Sequence, residues 1–326
     1  MLEDLHHRKH SYLRISLTDN CNFRCSYCMP NEDYEFLRPH RLMSAKEIVS
    51  IAAIFTELGV TKIRLTGGEP LIRKDLPEII AGLSKLPIQL TLTTNGLLLD
   101  RYIDLLKEYN IRSVNISLDT LQAEKFKQIT RRDEFNRVWD NIQLLVAQEF
   151  EVKLNVVAVK NQVEDEIIDF ALLTRRLPLE IRFIEFMPFD GNFWDPQKVL
   201  TAGEIQTMIE TQFPLEKMND SPNDTAKHYK IPGALGKIAF ITTMSDHFCA
   251  TCNRLRLTAD GKIKNCLFDK HELDLLTSYR TGEDIKSLIL QSVKQKNAAL
   301  GGQFTPKFTE TKPEQIVNRS MIKIGG

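Results

Sequence analysis

At 326 residues, with 42% hydrophobic and 26% charged side chains, the chain has the size and balance that bury one or two cores, which excludes a disordered or low-complexity protein. Lys plus Arg and Asp plus Glu both number 43, so no net charge draws the whole chain toward nucleic acid or an anionic membrane, and any polyanion site has to be built locally. No run of about 18 apolar residues occurs, and the opening MLEDLHHRKH lacks the apolar stretch of a signal peptide, so a cytoplasmic, reducing location with free thiols is expected.

From residue 11 to 187 a short β-branched run, a polar loop and an amphipathic helix recur. Strands are predicted at 12–17, 61–66, 89–94, 113–118, 152–159 and 180–186. Such units run to roughly 30 residues each, the length of a right-handed parallel crossover. The expected class is therefore α/β with a parallel sheet, open or rolled into a barrel. After the first strand, Ser44 and Glu47 predict a capping box, Ile48, Ile51, Ala52, Phe55 and Leu58 one apolar face, and Gly59 the stop. Past 187 the rhythm breaks: helical character at 201–212, a polar connection at 219–233, then a second unit from about Ile231 with a hairpin in 256–268.

The strands alternate, and one face of each is polar: Arg14 and Ser16, then Lys62, Arg64 and Thr66, then Thr91 and Thr93, Asn115 and Ser117, Lys153 and Asn155, and Arg182. If the sheet curls, Arg14, Lys62, Arg64, Lys153 and Arg182 line its interior as unpaired cations, a site for something highly anionic.

The six cysteines fall into two groups of three. CNFRCSYC, residues 21–28, has the spacing C-x3-C-x2-C; Cys249, Cys252 and Cys266 read C-x2-C-x13-C. Three thiolates suit a structural zinc site or an iron–sulfur cluster. Zinc in a structural role wants four closed ligands and no fourth lies nearby, so the spacing favours a cluster with one iron open.

Cys21, Cys25, Tyr27 and Cys28 after the first strand, with TGGEP at 66–70, TTNG at 93–96, SLD at 117–119 and EFMP at 185–188 ending later strands, resemble the radical S-adenosylmethionine (SAM) superfamily. The second cysteine set, CNRLRLTADGKIKNC and the terminal Gly-Gly resemble its GTP 3′,8-cyclase branch, of the molybdenum cofactor protein A type, over nearly the full chain. Asn20 departs from the pattern, which has Arg before the first cysteine. The resemblance implies a partial (βα)6 TIM-type barrel over residues 1–230 and a C-terminal α+β cluster-binding extension over 231–326. It implies two [4Fe–4S] clusters, on Cys21, Cys25 and Cys28 and on Cys249, Cys252 and Cys266, with SAM on the first. SAM contacts would fall on Tyr27, Gly68, Ser117 and Met187, Gly67 and Gly68 letting backbone approach the SAM amino group. GTP contacts would fall on Arg14, Arg64, Thr93, Lys153, Arg254, Leu255 and Arg256, with the second cluster's open iron binding guanine; Lys62 and Arg182 are added by the strand pattern. The implied partners are GTP, a reducing electron donor of flavodoxin or ferredoxin type, a cyclic pyranopterin monophosphate synthase that takes the product, and a second copy in a homodimer.

Two features of the C-terminal unit follow from the residues themselves. With Gly261 left-handed in the turn of the hairpin, Cys266 falls opposite Arg254, and Arg254, Arg256 and Cys252 share a face. The terminal Gly325 and Gly326, without side chains, could fray, resemble the tail of a ubiquitin-like carrier, or thread a narrow cavity; the third reading is preferred and makes them part of the catalytic site, docked by Met321, Ile322 and Ile324. The rivals are a radical SAM peptide-modifying enzyme, a two-cluster electron carrier and a zinc-binding interaction protein.

Overall fold

A computed structural model describes residues 1–29, 34–305 and 307–325. Six parallel strands stand side by side in chain order: β1 (Tyr12–Ser16), β2 (Lys62–Thr66), β3 (Gln89–Thr94), β4 (Ser113–Ser117), β5 (Glu151–Ala158) and β6 (Glu180–Glu185). All six predicted strands are present, each within one residue of its expected ends. The intervening helices are α1 (Ala45–Glu57), α2 (Leu76–Leu83), α3 (Ile103–Glu108), the pair α4 (Ala123–Thr130) and α5 (Phe135–Ala147), and α6 (Ile167–Arg176). The Ser44–Glu47 capping box opens α1 as expected, and Ile48, Ile51, Ala52 and Phe55 are buried along it.

The remainder extends the same sheet at both edges. After α7 (Ala202–Glu210), β7 (Glu216–Lys217), β8 (Lys227–Lys230) and β9 (Lys237–Ile241) follow, with β9 parallel to β6. The strand β10 (Arg254–Leu257) runs parallel to β1 and pairs antiparallel with β11 (Lys262–Lys264), which β12 (Leu273–Asp274) covers. The helices α8 (Leu275–Arg280), α9 (Ile285–Lys294) and α10 (Met321–Ile324) complete the chain. The resulting twelve-stranded sheet is open, with β12 and β7 at its edges. Part of the polar stretch expected to be a connection is in fact β8, which pairs antiparallel with both β7 and β9; its sequence KHYK has three basic residues in four and so carries no apolar alternation. No helix among the described residues is long and apolar enough to cross a membrane.

The register sorts the two faces. Leu13, Ile15, Ile63, Leu65, Val114 and Ile116 point to the helix side and are fully buried, each such side chain contributing about 1.5–3 kcal/mol. The opposite face is the polar one, and it positions the site.

Candidate active site

The loop after β1 carries Cys21, Cys25 and Cys28. Its backbone is fixed by Cys28 and Met29 N–H groups donating to the Cys25 carbonyl at 3.0 and 2.8 Å, and by Arg24 and Ser26 N–H groups donating to Thr130 and Ile129 at the end of α4. Phe23, buried between the first two cysteines, packs edge-on against Phe126. Burial lifts the Cys21 thiol to about 11, and burial with the charge of the neighbouring thiols lifts Cys25 well above its ordinary range. Cys25, Tyr27 and Ser117 line one cavity together with Asn95 and Asp119. The Tyr27 hydroxyl donates to Asp119 at 2.6 Å, and Met187 packs with Tyr27 against Phe186 and Trp194.

Gly68 stands where β2 ends against residues 18–20. A Cβ there would lie 2.2 Å from the Asn20 carbonyl oxygen, and one on Gly67 would lie 2.6 Å from that of Thr18. Close packing of two backbones therefore accounts for both glycines, whatever either does toward a ligand. Glu69, to which no role was given, is fully buried and takes N–H groups from Leu71 and Asn95 and the Thr94 hydroxyl, tying the ends of β2 and β3 together; burial raises its carboxyl to about 7. Glu185 of EFMP does the same for β6, taking N–H groups from Ala202, Met244 and Ser245.

The second thiol set lies at the start of β10. Cys266 follows β11, and the Arg256–Lys264 register, continued by two residues on each strand, sets it opposite Arg254 as the left-handed Gly261 turn predicts. Arg254 lies over the Phe248 ring at 4.6 Å and donates to the Cys252 sulfur at 3.6 Å. Lys296, which sequence reading missed, donates to the same sulfur at 3.5 Å and to the Arg254 carbonyl at 2.8 Å. Burial opposes ionisation of Cys252, but Arg254 and Lys296 overcome it and bring the thiol down to about 6. Among the described residues no three His, Cys, Asp or Glu side chains converge as they would on one metal ion. Two sets of three free thiols, with no fourth metal ligand gathered beside them among the described residues, fit the corners of two clusters better than mononuclear zinc.

Between these sets runs the polar face. Arg256, Arg14, Arg64 and Thr91 stand abreast on four adjacent strands, and from Thr93, two residues along β3, the row continues through Asn115 and Lys153 on the next two. Arg64 donates to the Leu92 carbonyl at 3.0 Å and to the Thr93 hydroxyl at 3.3 Å. Of the five cations expected to be unpaired, Lys153 and Arg182 have carboxylate partners. Lys153 pairs with Glu151 at 2.8 Å, and Arg182 pairs with Glu180, which also holds Lys237. The reason is the two-residue period of a strand: each carboxylate precedes its cation on the same face. Leu255 points the other way, into the core beside Leu13, so only its backbone can meet a ligand.

Tyr12 was also missed, although it precedes Arg14 on the same face. Arg64 Nε donates to its hydroxyl at 2.5 Å, and Lys62 lies 5.4 Å from its ring centre. Burial would raise this phenol, but Arg64, Arg14 and Lys62 pull it down to about 7. A phenolate absorbance step with a midpoint near 7 is expected, lost in Tyr12→Phe. Because the folded value lies below the ordinary 10.0, the stability drawn from the phenolate is complete above 10.0 and is lost as pH falls through about 7. Native protein whose absorbance near pH 7 is unchanged by Tyr12→Phe, the difference appearing only at the ordinary phenol value, would contradict this.

The tail closes the face. Met321–Ile324 is a helical turn, not an alternating extended segment, and it buries Ile322 and Ile324. Gly325 follows with φ +83°, its carbonyl accepts from Arg256 at 2.7 Å, and a Cβ on it would lie 2.8 Å from that of Ser16. Gly326 lies outside the described residues.

The Radical SAM superfamily model matches residues 15–174 and the Molybdenum Cofactor Synthesis C model residues 179–301. The chain is 46% identical to the mitochondrial GTP 3′,8-cyclase of Arabidopsis thaliana, over 100% of this chain and 84% of that protein. It is 42% identical to a GTP 3′,8-cyclase of Syntrophomonas wolfei, over 90% of this chain and 93% of that protein. It is 44% identical to human molybdenum cofactor biosynthesis protein 1, of which it spans only 51%. Among solved structures, Streptococcus suis SuiB bound to S-adenosylmethionine matches in fold with TM-score 0.65 at 15% identity, over 94% of this chain and 72% of that one. With both thiol sets in place and such relatives matching along nearly its whole length, the chain belongs to the GTP 3′,8-cyclase family of the radical SAM superfamily.

Proposed function

We infer that the chain converts GTP to (8S)-3′,8-cyclo-7,8-dihydroguanosine 5′-triphosphate, the first step of molybdenum cofactor biosynthesis. The observation that carries this reading is the row of guanidinium groups Arg256, Arg14 and Arg64, set between two three-thiol sites. β1 ends toward the first set and its parallel neighbour β10 begins at the second, so an anion held by the row lies between them. Cys21, Cys25 and Cys28 would hold one [4Fe–4S] cluster and Cys249, Cys252 and Cys266 another. When bound, the first cluster and SAM supply a 5′-deoxyadenosyl radical, and the second cluster an open iron for guanine.

The chain's own residues do the rest. Tyr27, held by Asp119, Ser117 and Gly68 line the SAM side, with Met187 behind Tyr27. Arg14, Arg64, Arg254 and Arg256 take the triphosphate, and Thr93 steadies Arg64. Lys62 and Lys153 border the row, the backbone of Leu255 runs beside it, and Arg182 reaches it only by leaving Glu180. Fixing a charged tail orients the reacting ribose and base, and the buried face excludes water. On the same reading the parallel strands curl into a partial (βα)6 TIM-type barrel over residues 1–230, with 231–326 as its cluster-binding extension. The reading also takes a flavodoxin- or ferredoxin-type donor, a cyclic pyranopterin monophosphate synthase downstream, a homodimer and a cytoplasmic setting.

Anaerobic reconstitution tests it. About eight irons should bind, and SAM consumption on reduction should yield cyclised product only with GTP. Arg254→Ala and Arg256→Ala should each weaken GTP binding by roughly 1–3 kcal/mol, the scale of a lost charge-assisted hydrogen bond. Guanosine binding as tightly as GTP would overturn the triphosphate assignment.

A further inference from the structure

The opening residues form a tight hairpin. The His7 and Asp4 N–H groups donate to Asp4 and Arg8 carbonyls at 3.1 and 3.2 Å, Glu3 bridges to Lys9, and Leu2 sits in the core. His7 takes a left-handed φ of 60° at the turn. The hairpin buries Arg8 and Asp4, which are 7% and 4% exposed. Arg8 Nε donates to Asp4 Oδ2 at 2.6 Å, and His10 Nε2 lies 3.0 Å from the same oxygen. The far edge of the guanidinium leaves the hairpin altogether. Its Nη1 donates to the carbonyls of Cys249 at 2.8 Å and Ala298 at 2.7 Å, and its Nη2 donates to that of Asn297 at 2.7 Å.

These three carbonyls belong to two segments that face each other across the second thiol set. One is the turn Cys249–Thr251. The other is the strap 296–300, which sends the Lys296 ammonium to the Cys252 sulfur at 3.5 Å and the Leu300 N–H to the Cys249 sulfur at 3.4 Å. Nothing in the spacing of the cysteines would hold the turn and the strap together. One planar cation, neutralised by Asp4 and bonded to both segments, does so.

We propose that Arg8, presented by Asp4, is the positioning residue of the second thiol site, riveting the Cys249 turn to the 296–300 strap so that the site is formed before iron arrives. The proposal rests on the reading that Cys249, Cys252 and Cys266 hold a cluster. Arg8 touches no sulfur, and its effect acts through the Cys249 carbonyl. A lysine keeps the charge facing Asp4 but lacks the planar fork that spans three carbonyls.

The experiment uses full-length protein in which Cys21, Cys25 and Cys28 are replaced by Ala, so that only the second site can take iron. The parent should bind about four irons on anaerobic reconstitution, and Arg8→Lys less than half of that. In metal-free protein with all six cysteines, iodoacetamide should alkylate Cys249 about tenfold faster or more in Arg8→Lys, with Cys28 unchanged, because only the second site opens locally. Asp4→Asn loosens Arg8 without removing it and covers the case in which Arg8→Lys fails to fold; it should shift Cys249 in the same direction by a smaller factor. Parent-like iron and alkylation in the variants would overturn the proposal, as would equal acceleration at Cys249 and Cys28, which marks a loss of global stability. A parent that binds no iron would overturn the cluster reading itself, and the proposal with it, whereas a parent that fills beside variants that also fill removes only the role of Arg8.

Discussion

Cys25→Ala is expected to reduce SAM cleavage to background, whereas Cys266→Ala is expected to leave cleavage with a surrogate reductant near that of the parent and to destroy GTP turnover. The two thiols sit at opposite ends of the β1 and β10 strand pair. Cys25 shares its cavity with Tyr27 and Ser117, and its carbonyl anchors the loop that carries Cys28, so its loss removes a ligand where SAM has to be held. Cys266 stands across the hairpin from Arg254, on the side of the guanidinium row. Both thiols are half-buried and small, so either replacement should change stability by about 1 kcal/mol or less. Effects on activity are then attributable to the sites. The measurement is 5′-deoxyadenosine formed per enzyme, with and without GTP, beside the iron content of each variant. Equal loss of both activities in both variants would sink this division between the two ends.

The parallel strands were legible because each satisfies two demands at once. Leu13 and Ile15 must enter the core while Arg14 and Ser16 do not, and that alternation survives in β2 to β6. The thiol groups were legible because their ligands are close in sequence. Features that join distant segments were not. Arg8 meets the Cys249 carbonyl across 241 residues and Lys296 meets the Cys252 sulfur across 44, and neither spacing repeats anything a sequence pattern could report. Glu151 and Glu180 were visible as residues, but their pairing with Lys153 and Arg182 turns on which cations a strand neutralises locally and which it leaves for a ligand. That choice separates the two sides of the polar face: carboxylates accompany the cations of β5 and β6, while the guanidinium groups of β10, β1 and β2 gather around a phenol and a terminal carbonyl.

That terminal carbonyl leads to the second large effect. Deleting residues 325–326 should leave the fold and both iron sites intact and lower cyclisation by about 10²-fold, the scale of a reacting group displaced by about an ångström. The anchor of the tail lies upstream, in the buried Ile322 and Ile324, so truncation costs little packing. What it removes is the acceptor for Arg256, whose guanidinium is buried beside the charges of Arg14 and Arg254 and is held by the Gly325 carbonyl at 2.7 Å. Without that carbonyl the row loses its register with whatever it binds. Gly325→Ala should act in the same direction for a steric reason. Its φ of +83° disfavours any side chain, and a Cβ would lie 2.8 Å from that of Ser16, so the turn has to withdraw from between Ser16 and Thr66. The loss should therefore appear as uncoupling, with 5′-deoxyadenosine still released on reduction while cyclised nucleotide per SAM consumed falls well below one. Circular dichroism and iron content equal to the parent would establish that the variant is folded and loaded. A truncated protein that cyclises GTP at the parent rate, with one product per SAM, would show that the tail is a loose end and that Arg256 needs no carbonyl to be held in place.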